Sequence, residues 1–289
     1  MSIRTLLTTL ISELVAHTSH HPWASPQADM RALACSILAS HPPGGVHLPP
    51  AAGHPHNLLE HARHGKDLRT QRPIEWTTLS SLSRDLPLPP SAFTAAAAAI
   101  AARSTAVPVP YITGFTEFGE HLFRVASPDG DRVLVPRPAS ELLVERATKA
   151  LTSLSSPAAS VLELGVGSGA VLISVAAAAA DLPRPVAAVG VDVAPAALRL
   201  AEVNAQAVAV DAKKELDVSL LASSWMTELL ASPATFDVII SNPPYLCSHE
   251  IGAAPHSPLA HEPRGALDGG EHGRRRGVVG PRLATVRRR

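Results

Sequence analysis

The stretch Asn242-Pro243-Pro244-Tyr245 combines residue types that can position a flat nitrogen group for chemistry. It follows the apolar run 236–240, which predicts a buried strand. Two prolines directly after a strand end its hydrogen-bond ladder and stiffen the backbone, because proline has no N–H to donate. A fixed side-chain amide, fixed carbonyls and an aromatic face therefore predict a loop that presents an amide or amino nitrogen to a methyl donor.

A glycine-rich turn earlier in the chain is a candidate site for that donor. The turn Gly165-Val166-Gly167-Ser168-Gly169 stands between an apolar strand at 160–164 and an apolar helix at 170–180. Glycine allows a sharp turn and a close ligand approach, and a helix N-terminus adds a positive end. The spacing is G-x-G-x-G rather than the G-x-G-x-x-G of dinucleotide sites, which favours a nucleoside cofactor.

Two further side chains come at the ends of predicted strands. Asp192 ends the second strand, where a carboxylate can accept hydrogen bonds from both hydroxyls of a ribose. Its alternative role is to cap the helix that begins at Ala194, and the two roles can coexist. Trp225 follows the third strand and is either a surface for an adenine ring or a core residue. Because open α/β sheets bind ligands at the carboxyl ends of their strands, donor and acceptor would meet over one sheet edge.

The elements that position these residues fall into four regions. Residues 1–105 carry helical stripes of apolar residues and predict a small helical domain. Residues 106–135 read as a linker and a β-hairpin, and 136–273 alternate strands with helices, which predicts a parallel sheet with right-handed crossovers. The Arg-rich residues 274–289 show neither strand alternation nor helical periodicity.

Local signals predict where several of these elements begin and end. Ser91 is a candidate cap for a helix through 95–102, and Ser140 for a helix over 141–151. The hairpin is predicted to turn at 128–131. The predicted helices and strands are 5–17, 29–40, 58–64, 95–102, 122–125, 132–135, 141–151, 160–164, 170–180, 186–191, 194–207, 216–220 and 236–240.

Composition and charge exclude several classes of protein. Two cysteines far apart form no disulfide framework and fit a reducing compartment, and no apolar run is long enough to span a membrane. Residues 274–289 hold seven arginines, which leaves 18 basic and 25 acidic side chains in residues 1–273, a net charge of −7. Such a body does not favour nucleic acid. We therefore expect a cytoplasmic monomer, with a mitochondrial location as the alternative because residues 1–12 contain no acid.

Nine of the fourteen histidines lie in residues 17–64. Four of them could form a metal site, but no cysteine or carboxylate stands at ligand spacing with them. We therefore expect solvated loop histidines and no metal. The four are His54, His56, His61 and His64.

Taken together, the motifs resemble the HemK/PrmC family, the N5-glutamine methyltransferases of peptide chain release factors. The loop at 242–245 alone would be shared with adenine-N6 and other amino methyltransferases, and the Pro-Arg-Pro segment at 136–138 makes the resemblance specific. The likeness covers 105–273 well and 1–104 only in general character. The matching segments are 111–114 with Glu117 and Phe118, 135–138 with Glu141, 163–169, Asp192, Ser224 with Trp225, and 242–245.

The resemblance implies a class I, Rossmann-like α/β fold and S-adenosylmethionine as methyl donor. It implies the glutamine of the release factor Gly-Gly-Gln tripeptide as acceptor, with 1–105 recognising that partner. Residues 165–169 would then hold the methionine end of the donor, Asp192 the ribose and Trp225 the adenine. Asn242 would contact both substrates, and 243–245 would shape the glutamine slot. Phe118 and Arg137 receive no chemical role.

The chain departs from the family after residue 273, where three more strands are expected. The arginine-rich sequence at 274–289 could be a solvated tail or an RNA-binding tail. We favour a third interpretation, a shifted reading frame or misjudged gene end that replaces lost core. The strand at 236–240 would then expose an edge. The alternatives to a release factor methyltransferase are a DNA or RNA adenine-N6 methyltransferase and an inactive, truncated homologue.

Overall fold

The computed structural model describes residues 2–18, 24–43, 80, 82–224, 235–252, 257–272 and 282–285. The chain divides into two compact units, which are residues 1–115, 126–130 and 254–261 for the first, and 116–125, 131–253 and 262–289 for the second. Several predictions lie outside the described residues: the four loop histidines, the helix at 58–64, Trp225 and the arginine runs 274–276 and 287–289. No helix in the described part of the chain has the length and apolar character needed to cross a membrane.

The first unit is helical, as its apolar stripes predict. On α1 the side chains of Leu6, Leu10 and Leu14 are fully buried at helical spacing, whereas Val15 is 45% exposed. Deep in this unit, Arg103 Nε donates to Asp29 Oδ2 over 2.7 Å. The helices are α1 (Ile3–Thr18), α2 (Pro26–Ser40), α3 (Pro90–Ser104) and α4 (Val109–Thr113).

Two local predictions in this unit are wrong. Ser91 does not cap α3, because the helix begins one residue earlier at Pro90 and its N-cap is Pro89. Proline is favoured at the first helical position, where its missing N–H costs nothing. The short helix α4 occupies residues that the sequence assigns to the approach to a hairpin, and it ends at Gly114 with a φ of 84°.

The hairpin itself turns earlier than predicted. Strands β1 (Phe115–Phe118) and β2 (His121–Arg124) pair across Gly119 and Glu120. Gly119 has a φ of 56°, which suits a tight turn between strands. The turn at 128–131 exists, but 133–135 form no strand. The Val133 N–H donates to the Val125 carbonyl over 3.1 Å.

The second unit carries a five-stranded sheet in the order β5-β4-β3-β6-β7. The first four strands in this order are parallel, as the alternating pattern predicts. Helix α6 connects β3 to β4, and helix α7 connects β4 to β5. Alanine-rich α6 packs in the core of this unit with β3 and α5. The elements are α5 (Glu141–Thr152), β3 (Ala159–Leu164), α6 (Ala170–Ala179), β4 (Val186–Asp192), α7 (Pro195–Ala212), β5 (Val218–Ala222), β6 (Val238–Ser241), α8 (Ser248–Gly252), α9 (Arg264–Leu267) and β7 (Arg282–Thr285).

The Arg-rich region contains a strand, which contradicts the sequence-based expectation. β7 pairs antiparallel with all four residues of β6, from Val238 opposite Thr285 to Ser241 opposite Arg282. The strand that leads into Asn242 is therefore flanked by β3 on one side and β7 on the other. β7 therefore covers the edge of β6 that the sequence predicts to be free. The sequence pattern misses β7 because a backbone ladder needs extended residues but no alternation of apolar side chains.

Candidate functional site

The glycine turn, residues 165–169, connects β3 to α6 with three glycines in the left-handed region. Gly165, Gly167 and Gly169 have φ values of 75°, 55° and 80°. Residues with a Cβ adopt this conformation only with strain, which explains glycine at all three positions. The Val191 carbonyl at the end of β4 accepts the N–H groups of Gly165 and Val166, over 2.9 and 3.0 Å.

The three glycines face different surroundings. A Cβ on Gly169 would lie 2.4 Å from Cδ1 of Ile173 and 3.3 Å from Cβ of Ala201, so this glycine allows α6 and α7 to pack. A Cβ on Gly165 or Gly167 would meet no heavy atom within 4 Å. Since both lie at the carboxyl end of the sheet, this open space suits the close approach of a ligand to the backbone.

Val166 and Ser168, the other two residues of the glycine turn, have buried side chains. The Ser168 carbonyl accepts an N–H from Asn204 Nδ2 over 2.8 Å, and its Oγ accepts the N–H of Ala170 over 3.4 Å. Any contact these two residues make with a ligand therefore comes from their backbone rather than from their side chains.

Asp192 holds the glycine turn and the start of α7 together. Its Oδ2 accepts the Gly167 N–H over 3.0 Å and its Oδ1 accepts the Ala194 N–H over 2.9 Å. The Asp192 carboxylate thus contacts the N-cap residue Ala194, but it does not cap α7, which begins at Pro195 without a side-chain capping hydrogen bond. Each carboxylate oxygen has two lone pairs, so both can accept a further hydrogen bond from a hydroxyl group.

Glu163 is the last but one residue of β3. Its side chain is fully buried beneath the glycine turn, and its Oε2 accepts the Leu172 N–H over 2.9 Å. Burial raises the pKa of this carboxyl to about 8, the Leu172 N–H opposes that shift, and the nearby Asp192 charge adds to it. The end of β3 next to the glycine turn thus carries a carboxyl that is largely protonated at neutral pH.

Asn204 on α7 is a polar residue of the site that sequence reasoning missed. It is 1% exposed, and besides Ser168 it binds the backbone of Arg124 twice. Oδ1 accepts the Arg124 N–H over 2.7 Å, and Nδ2 donates to the Arg124 carbonyl over 2.9 Å. The signal available in the sequence is one amide side chain on the apolar face of an alanine-rich helix.

Asn242 lies directly after β6, next to the end of β3. Ser241 Oγ donates to the Leu164 carbonyl over 3.1 Å, which ties the two strand ends together. Asn242 Nδ2 donates to Ser140 Oγ over 3.2 Å, and Ser140 is itself buried. The prediction that Ser140 caps α5 through its side chain is wrong, because it makes no capping hydrogen bond.

The rest of the Asn242 loop, residues 242–245, runs outward from the sheet. Pro243 is buried, Pro244 is half-buried and Tyr245 is 50% exposed. The next residue, Leu246, exchanges backbone hydrogen bonds with Leu267 and Gly269, over 3.0 and 2.8 Å. The loop is therefore anchored at both ends while Tyr245 remains accessible.

A second anchor near the loop is the ion pair of Arg137 with Glu262. Arg137 Nη2 lies 2.6 Å from Glu262 Oε1, and the carboxylate side chain is 1% exposed. Burial raises the pKa of Glu262, and the Arg137 charge partly opposes that shift. The sequence predicts no role for Arg137. In the structure, its ion pair connects the Pro-Arg-Pro segment, residues 136–138, to Glu262.

The structure brings most of the predicted site residues to one end of the sheet. Strand β3 lies between β4 and β6, so the glycine turn, Asp192 and Asn242 follow three adjacent parallel strands. Trp225 lies outside the described residues. Among the side chains that are described, no three His, Cys, Asp or Glu are grouped as a metal site requires.

Several known proteins are similar in sequence to this chain. Residues 137–270 match the family model described as methyltransferase small domain. The chain is 37% identical over 187 residues to a release factor glutamine methyltransferase of Cereibacter sphaeroides, which covers 65% of this chain and 60% of the relative. A protein of the same name from Burkholderia pseudomallei is 37% identical over 196 residues, 67% of this chain and 64% of the relative. The chain thus spans less than two thirds of the length of these curated relatives.

Solved structures show only distant similarity. An S-adenosylmethionine-dependent methyltransferase from Agrobacterium tumefaciens superimposes with a TM-score of 0.35 at 13% identity, over 59% of this chain and 67% of that one. A similarity at this level has no bearing on function.

Proposed function

We propose that this chain, which is similar in sequence to release factor glutamine methyltransferases, methylates the glutamine of the Gly-Gly-Gln tripeptide in peptide chain release factors. The methyl group comes from S-adenosylmethionine and goes to the side-chain amide nitrogen. The observation that carries this proposal is the position of the Asn242 amide, which lies one strand away from the open glycine turn.

The cofactor half of the site holds the donor. The backbone at Gly165 and Gly167 leaves room for the methionine end, and the Asp192 carboxylate has lone pairs left for the ribose hydroxyls. Trp225 provides the surface for the adenine ring. When bound, S-adenosylmethionine supplies an electrophilic methyl group on a positively charged sulfur.

The acceptor half orients a weak nucleophile. The lone pair of a carboxamide nitrogen is delocalised into the carbonyl, and deprotonation before transfer would be costly near neutral pH. Asn242 Oδ1 and the Pro243 carbonyl accept the two N–H bonds of the glutamine and turn its nitrogen towards the methyl group. The N–C bond forms as the C–S bond breaks, and the nitrogen then loses a proton to solvent. Alignment and exclusion of water provide the acceleration, with no general base before transfer.

The partner is a release factor, and the helical residues 1–105 recognise it. The enzyme acts as a monomer in the cytoplasm. The acidic balance of residues 1–273 disfavours a nucleic acid substrate that needs a basic groove.

The test is methyl transfer by the purified full chain with tritium-labelled S-adenosylmethionine. Three acceptors are compared: a release factor, the same factor with Gly-Gly-Ala in place of Gly-Gly-Gln, and duplex DNA. Label in the first acceptor alone supports the proposal. Label in DNA, in the Gly-Gly-Ala factor, or in none of the three overturns it.

A further inference from the structure

Ser140 is buried, and its hydroxyl does not make the helix-capping hydrogen bond that the sequence predicts. It occupies the N-cap position of α5, yet it makes no side-chain capping bond there. Its backbone N–H donates to the Arg137 carbonyl over 2.8 Å within the short 3-10 turn Pro138–Ser140. Its Oγ instead accepts the hydrogen bond from Asn242 Nδ2, from a residue 102 positions away.

The orientation of the Asn242 amide decides what the loop can bind. A carboxamide has a donor end and an acceptor end, and only the oxygen can accept an N–H from a substrate amide. With Nδ2 on Ser140, Oδ1 has no partner among the described residues. The reverse orientation would place an NH2 group against the N–H groups of the substrate, and donor would face donor.

Both partners in this contact sit on stiff backbone. Pro138 fixes φ at the start of the turn that carries Ser140, and Pro243 follows Asn242 directly. Ser140 is 3% exposed, so water does not compete for its hydroxyl as it would at the surface. The contact between Asn242 Nδ2 and Ser140 Oγ therefore joins two rigid backbone segments.

We propose that Ser140 is a positioning residue, which fixes the amide of Asn242 with its oxygen directed to the acceptor amide. This inference rests on the proposed function, because it assigns the Oδ1 atom to the glutamine N–H. It adds a residue outside the Asn242 loop and the glycine turn that sets the rate of transfer without binding either substrate.

The first test observes the amide directly and needs no turnover. The side-chain NH2 resonances of Asn242 are assigned in a 15N–1H spectrum of the full chain by their loss in Asn242→Asp. Ser140→Ala is expected to move these resonances towards those of solvent-exposed asparagines, and Ser140→Thr, which keeps the hydroxyl, is expected to restore them. Unchanged resonances in Ser140→Ala would overturn the proposal.

The second test separates positioning from general stability. In Ser140→Ala, kcat for release factor methylation is expected to fall about tenfold, the equivalent of one lost hydrogen bond. The Kd for S-adenosylmethionine is expected to stay within about twofold, because the glycine turn is untouched, and Ser140→Thr should regain most of the rate. A wild-type kcat in Ser140→Ala, or an equal loss in Ser140→Thr, contradicts the proposal. Absence of transfer by the wild-type chain would instead refute the proposed function, and the resonances would still decide the orientation of the amide.

Discussion

The glycine turn and the Asn242 loop reach the same end of the sheet but are held there by different contacts. The glycine turn is fixed by backbone bonds to Val191 and by Asp192, 25 residues from Gly167. The Asn242 loop depends on a side chain 102 residues away, and the neighbouring ion pair joins segments 125 residues apart. The glycine turn and Asp192 thus belong to one βαβ unit, whereas the contacts around the Asn242 loop join segments that are far apart in the sequence.

The largest expected effect lies in the acceptor half. Asn242→Ala removes the acceptor oxygen, and we expect it to lower kcat roughly a thousandfold, as the loss of one positioned polar group does in other active sites. Affinity for S-adenosylmethionine, measured by calorimetry, should change less than about twofold. Near wild-type turnover in this variant would contradict the alignment mechanism.

The next effect lies in the cofactor half. Gly169→Ala forces a Cβ into the left-handed region and against Ile173, so we expect a loss of about 2–3 kcal/mol in the free energy of unfolding and weaker cofactor binding. Gly265→Ala is the matched control, since a Cβ there meets nothing within 4 Å, and it should cost less than about 0.5 kcal/mol. Urea denaturation measures both, and equal losses would show that the turn is not constrained as described.

Arg137→Ala tests the anchor near the Asn242 loop. It leaves the Glu262 carboxylate buried without its partner, and we expect a loss of about 2 kcal/mol in the free energy of unfolding. This loss should grow as pH rises, because the buried carboxyl must then hold a proton that it would release in the unfolded chain. Arg264→Ala removes an exposed pair with Asp268 and should cost less than about 1 kcal/mol. If affinity for S-adenosylmethionine falls together with stability in Arg137→Ala, the contacts that hold the Asn242 loop also support the glycine turn, which would contradict the comparison.

The smallest effect is a change in pH dependence. The pKa of Glu163 is about 8 in the folded chain and near 4.5 when exposed, so the folded state binds the extra proton. The contribution of protonated Glu163 to the free energy of unfolding is therefore fully present below about pH 4.5 and is lost as pH rises through 8. Glu163→Gln should therefore flatten the decline in stability between pH 5 and 8, relative to wild type, in thermal melts. An unchanged slope would mean that Glu163 is ionised at neutral pH.

The same contrast explains which parts of the molecule can be predicted from sequence. The parallel strands and the glycine turn both follow from local patterns of apolar residues and glycine. Those patterns act over a few residues, and the turn is built from neighbours in sequence.

Two of the errors, at Ser140 and Asn204, arise because a polar side chain has a partner far away in the sequence. Ser140 has a strong local preference for capping, but its Oγ serves Asn242. Asn204 looks like an ordinary helix residue until its three hydrogen bonds to Ser168 and Arg124 are known. Such partners are set by tertiary packing, which overrides local propensity.

Strand β7 also has a consequence for the order in which the two halves form. Synthesis proceeds from the N-terminus, so β3 and β4 can pair, and the glycine turn can meet Asp192, before β6 leaves the ribosome. β6 emerges next and remains without its antiparallel neighbour until 282–285 have been made. During synthesis, therefore, the glycine turn and Asp192 can come together while the strand that leads to Asn242 still lacks its second neighbour.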